Sequence, residues 1–237
     1  MEFIIIRSSI IKILRGRISP QKVGRYLTVI GLWSLSLMLI AMALYPSGYT
    51  PFQATFSALG NPYKNPYPGW LFFSLALWST GIFIMPFFVF IYKNFRKHSR
   101  YPSFFYLFFS FITVSGLILL GFFSESFRGI NIHAPAALMI LAGFIIGANI
   151  SLIPIRRIKR KTNQKRAKRI NILQFSMLVT FWTGMIGVGY TLLSAFYEII
   201  PDPHFANLQL WEWFLFMSIA IYLFLLQMII SPGNNSL

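Results

Sequence analysis

Glu125, His133 and Glu212 are the residues of this chain whose types and spacing best suit chemistry. A carboxylate and an imidazole can share a proton near neutral pH, so such a set can move a proton, orient a base or hold a divalent ion. Glu125 closes one long apolar run and His133 precedes the next. Glu212 lies in the first turn of the last run, between Trp211 and Trp213. The three can converge at similar depth, and an ionisable group left against hydrocarbon would cost several kcal/mol, which makes them functional candidates. The plainer alternative stays open: Glu125 or Glu212 pairs with Arg128, and His133 bonds backbone at a helix start. Glu198, Asp202 and His204, in Glu-Ile-Ile-Pro-Asp-Pro-His, form a second polar cluster whose pattern reads as a solvated loop. His98, in Arg-Lys-His-Ser-Arg, reads as a solvated bystander.

The sequence contains no Gly-x-Ser-x-Gly elbow, no His-Glu-x-x-His, no glycine-rich phosphate loop and no His pair at helical spacing. Cysteine is absent, so disulfides, thiolate metal sites and thiol nucleophiles are excluded. These residues specify neither a metal nor a cofactor.

The elements that must position the candidates are membrane helices. With 56% hydrophobic and only 11% charged residues, the 237-residue chain is too apolar for a soluble domain. It divides into uncharged stretches of the length a bilayer core demands of a helix. Six spans are predicted, at about 20–45, 70–92, 104–124, 134–155, 171–197 and 210–230, making an all-α, polytopic bundle of six transmembrane helices. Ser19-Pro20 is a good helix start, since serine caps the free N–H groups and proline lacks one. Pro86 interrupts the second span and marks a candidate kink. Gly143 and Gly147, four apart in the fourth span, have the small-residue spacing that lets helices approach closely. Residues 46–69, rich in Pro, Gly, Asn and Tyr, read as an ordered, turn-rich loop.

Segment 1–19 is basic and lacks the clean apolar core of a cleaved signal. Ile6, Ile10, Ile13 and Leu14 fall at helical spacing, which suits an amphipathic helix lying in the interface. Residues 231–237 form a short tail.

Lys and Arg counts orient the chain, because basic residues near span ends are retained in the cytoplasm. Six lie at the N-terminal end, up to Arg25 in the first turns of span one, four between spans two and three, and nine between Arg156 and Arg169; only Lys64 and Arg128 fall on the other side. Both termini are therefore expected in the cytoplasm, in a multi-pass protein of the cell membrane. Four of the five acids and two of the three histidines fall outside, an asymmetry that topology does not require. The run Arg156 to Arg169 has no interleaved aromatics, which speaks against nucleic acid as a partner. Its ordinary role is topogenic, with contact to anionic membrane lipid as the lesser alternative.

Three stretches resemble the membrane family called domain of unknown function 998. They are Tyr45-Pro-Ser-Gly-Tyr-Thr-Pro followed by Phe56-Ser-Ala-Leu-Gly-Asn-Pro and Asn65-Pro66; Gly121-Phe-Phe-Ser-Glu-Ser-Phe leading to His133; and Trp211-Glu212-Trp213. The resemblance spans about residues 20 to 230. It implies functional polar positions at Ser57, Asn61, Glu125, His133 and Glu212, with Ala58 standing where the family often has Asp. The family is distantly similar to the Frag/DRAM group of six-span proteins, some of which are tied to lipid remodelling.

The expectation is a polar pocket at the extracytoplasmic face that binds a lipid headgroup or small polar ligand. Ser57 and Asn61 would supply hydrogen bonds, Glu125 and Glu212 the carboxylates, and His133 a proton acceptor. A lipid hydrolase or acyltransferase using the same trio is the enzymatic alternative. It resembles the six-span CREST hydrolases, whose three histidines and Asp this chain does not match. Transport is disfavoured, because spans two to five carry no charge in their interiors.

Overall fold

A computed structural model describes residues 19–46, 48–51, 54–123, 132–196 and 208–230. Glu125, Arg128, Glu198, Asp202, His204, the proposed interfacial segment and the tail lie outside the described residues.

Among the described residues six long helices follow one another: α1 (Pro20–Ala43), α2 (Gly69–Arg96), α3 (Arg100–Phe122), α4 (His133–Arg160), α5 (Gln164–Phe196) and α6 (Leu208–Ile230). A short 3-10 turn, Phe56–Gly60, sits between α1 and α2. Five of the helices are long and apolar enough to cross a membrane, and α5 has a described apolar stretch at Ile170–Val179. The protein is an all-helical, multi-pass membrane protein. Leu32, Trp33 and Leu39 on α1 and Phe104, Phe105 and Phe108 on α3 are exposed. Lipid tails cover such faces without penalty, because they are as apolar as the side chains.

Helix α1 starts as the sequence predicts: Pro20 opens it, and the Ser19 hydroxyl accepts from the Lys22 N–H at 3.4 Å. Helix α2 continues through Pro86 and past Tyr92 to Arg96. In the turn that Pro86 disturbs, the Phe83 carbonyl accepts from the Tyr26 hydroxyl at 2.5 Å, tying α1 to α2.

The basic segment 156–169 is where local structure departs from expectation. It is no loop: α4 runs on to Arg160, the chain turns at 161–163, and α5 begins at Gln164. Lys, Arg, Gln and Ala are strong helix formers, and Arg157, Lys159 and Arg160 in the last turn of α4 complement its dipole.

Consecutive helices from α1 to α4 pack as antiparallel neighbours, α5 packs on α6, and α6 returns to α1. The α3–α4 pair is the closest. A Cβ on Gly143 would fall 2.7 Å from the Phe109 carbonyl oxygen, and one on Gly116 would fall 2.7 Å from that of Ala136. Backbone cannot yield to a methyl group, so these two glycines set the helix separation. Gly147 has only an ordinary contact, with Phe109 Cβ at 3.7 Å, so half of the small-residue pair carries the approach.

Two apolar clusters fill the bundle. Phe87, Ile91, Phe95, Tyr106, Ile155, Ile170 and Leu226 belong to the one toward the basic end. Within it the Ser151 and Tyr222 hydroxyls meet at 2.9 Å, joining α4 to α6. Ala41, Phe56, Leu59, Phe73, Leu117, Ala136 and Ile140 form the second cluster, at the end that carries loop 45–68.

Candidate functional site

The loop between α1 and α2 organises itself before it meets the bundle. The Thr55 hydroxyl accepts from the Ala58 N–H at 3.2 Å and caps the 3-10 turn, and the Ser57 hydroxyl donates to Thr55 Oγ1 at 3.2 Å. Asn61 Oδ1 then accepts from the backbone N–H groups of Tyr63 (2.9 Å) and Lys64 (3.3 Å). Such an Asx turn is what an asparagine before proline favours. Ser57 and Asn61 are buried, so both first serve the architecture of the loop.

Asn65 fastens the loop to the bundle. It is fully buried, and its side-chain amide donates to the carbonyls of Ala41 (3.1 Å) and Leu59 (2.9 Å). Ala41 lies in the last turn of α1, where carbonyls lack an intrahelical donor. A Cβ on Gly69 would lie 2.0 Å from Asn65 Oδ1, so only glycine leaves room for this side chain at the start of α2. The resemblance includes Asn65, in Asn65-Pro66, but assigns it no role. Its one local signal is the pairing of an Asn-Pro step with a glycine four residues on.

Helix α6 supplies the second fastening. Glu212 Oε2 accepts from the Phe56 backbone N–H at 2.8 Å. Phe56 opens the 3-10 turn, so its N–H has no partner within that turn, and a carboxylate is a favoured acceptor there. The neighbouring Trp213 indole N–H donates to the Tyr49 hydroxyl at 2.7 Å, which in turn donates to the Ala54 (3.1 Å) or Thr55 (3.2 Å) carbonyl. The Phe56 ring packs on Phe73, Trp213 and Phe216 with centroids 5.0, 4.9 and 3.9 Å away. Trp211-Glu212-Trp213 thus contributes Glu212 and Trp213 as a clasp on the loop.

Burial pushes the Tyr49 phenol up to about 12; the Trp213 hydrogen bond works against this, and the charge of Glu212 adds to it. A phenol whose pKa is higher folded than unfolded stabilises the fold fully below pH of about 10, and that contribution disappears as pH rises through about 12. Docking of the loop should therefore weaken over that window. Tyr49→Phe should flatten this part of an alkaline unfolding profile followed by tryptophan fluorescence.

His133 opens α4 and is half-buried. Ala136 and Ile140, in the turns after it, belong to the same apolar cluster as Phe56 and Leu59. The structure therefore places His133, Glu212, Ser57 and Asn61 at one end of the bundle. Glu125, the third member of the predicted trio, lies outside the described residues. Among the described residues no three His, Asp or Glu side chains form a metal-binding group. The groove lined by Met85, Phe88, Leu107, Ser110, Phe111 and Val114 lies between α2 and α3, is apolar apart from Ser110, and is too narrow to hold a ligand.

His98 differs from expectation. It is half-buried, and its carbonyl accepts from Arg157 Nη1 at 3.0 Å, so the position serves as backbone where α2 ends.

No curated protein and no solved structure matches this chain. A family model described as a protein of unknown function, DUF998, matches residues 28–228. That match includes the loop, both of its fastenings, helices α2 to α5 and most of α1 and α6, and the chain belongs to the DUF998 family.

Proposed function

We propose that this protein binds a lipid headgroup or small polar ligand at the end of the bundle that carries loop 45–68, and that this end faces away from the cytoplasm. The observation that carries the reading is the burial of the turn Phe56–Gly60 with Asn61 and Asn65 against the bundle. Ordering a loop of this length costs conformational entropy, and long ordered loops in compact proteins are usually functional. The Phe56 N–H, Asn61 Oδ1 and Asn65 Nδ2 have partners within the protein, so the loop acts as a preformed wall. Glu125 and His133, from the two ends of the 123–132 connection, are the groups that meet the ligand. Glu212 positions the wall and adds its charge. Orientation follows from the Lys and Arg asymmetry, which puts both termini in the cytoplasm of a protein in the cell membrane.

The test is native mass spectrometry with elemental analysis of purified protein. Wild type should carry a bound lipid or small ligand that is lost from Glu125→Gln and His133→Ala while both variants keep the wild-type melting temperature. Equal occupancy in all three proteins would sink the proposal.

A further inference from the structure

We propose that the basic end of the bundle is a preorganised docking face for anionic lipid headgroups, built jointly from the α2–α3 connection and the α4–α5 hairpin. Those two segments are some sixty residues apart in sequence, yet the Arg157 guanidinium joins them by donating to the His98 carbonyl at 3.0 Å. The hairpin is two-sided. Ile155, Ile158 and Ile170 are buried in the cluster toward the basic end, while Arg156, Arg157, Arg160, Lys161, Lys165 and Lys168 are exposed. Arg96, Lys97 and Arg100 are exposed on the neighbouring connection. The cations are thus mounted on helices held by their apolar side, and little backbone freedom remains to be lost on binding.

The charge needs an external partner. Glu212 is the only acid among the described residues, and it lies at the opposite end of α6. Helix α4 carries the hairpin directly from membrane-crossing length, and the apolar stretch Ile170–Val179 of α5 follows it, so its cations sit at headgroup level. Lipid phosphates there can neutralise them at short range, where clusters of Lys and Arg attract an anionic leaflet. The inference does not depend on which side of the membrane this end occupies, nor on the site proposed at the loop end.

The experiment reconstitutes the full chain in vesicles of phosphatidylcholine and phosphatidylglycerol in equal parts. Electron spin resonance of a spin-labelled form of each lipid then measures which is held at the protein surface. Wild type should prefer phosphatidylglycerol by about threefold to tenfold, and the preference should fall as salt is added. A variant with Arg156, Arg157, Arg160, Lys161 and Lys165 all changed to Gln should bring the ratio close to one. Absence of a preference in wild type, or a wild-type preference indifferent to salt, overturns the proposal even if the multiple variant fails to reconstitute. Full preference in a correctly reconstituted variant overturns it as well.

Discussion

Asn65→Asp should be among the most damaging single substitutions in this protein, although it exchanges only NH2 for oxygen. The Asn65 amide is fully buried and donates to two carbonyls, those of Ala41 and Leu59. Aspartate puts an oxygen against both. If ionised, it is a buried charge facing two acceptors; if protonated, it can donate to only one of them. The loss should be about 3–5 kcal/mol, from one missing hydrogen bond if the acid is protonated or two and a buried charge if it is ionised, with the unpaired buried acceptors left behind. Asn65→Ala removes the same bonds without adding an acceptor and should cost about 2–3 kcal/mol. Thermal unfolding in detergent, followed by tryptophan fluorescence, should therefore rank wild type above Asn65→Ala and Asn65→Ala above Asn65→Asp. The aspartate variant should melt roughly 10 °C below wild type. The reverse order of the two variants would mean that packing volume, and not donor chemistry, holds the loop.

Glu212→Ala should release the same loop from its other side. It deprives the buried Phe56 N–H of its 2.8 Å carboxylate acceptor, at a cost of about 2 kcal/mol for a hydrogen bond to a charged group. Glu212→Gln keeps a side-chain oxygen in reach and should stay within about 1 kcal/mol of wild type. Limited proteolysis reads the difference directly. Lys64 is the only Lys or Arg in residues 45–68 and is exposed. Trypsin should cut after Lys64 several times faster in Glu212→Ala than in wild type or Glu212→Gln. Equal rates in all three would show that the aromatic packing of Phe56 on Trp213 and Phe216 suffices. A glutamine variant as labile as alanine would mean that the negative charge is essential.

These two residues mark what could be read from sequence and what could not. The helices were legible because each is encoded locally. An uncharged run of span length has one stable form in a bilayer, and Ser19-Pro20 announces the start of α1 through capping alone. Membership of the family was legible from three short stretches. The ends of α4 and α5 were not, because the predicted spans stop where the apolar residues do, at 155 and 171, while helix propensity and the burial of Ile158 and Ile170 extend both helices through the charged segment.

Residue chemistry alone singled out Glu212 as a titratable group at the membrane interface and left open what it does. Its first partner proves to be a backbone N–H 156 residues away, a relation that no spacing rule encodes. Asn65 looked like an ordinary turn residue, and only the return of the loop onto the end of α1 makes it a buried double donor. The sequence by itself determined the solvent of this protein, its number of long helices and the segregation of its cations, since each depends on hydropathy or charge counted along the chain. Tertiary structure alone decided which polar groups fasten the loop and that Arg157 joins two basic segments into one face. Those roles depend on partners brought close by packing, and a buried polar group takes its meaning from the partner it finds.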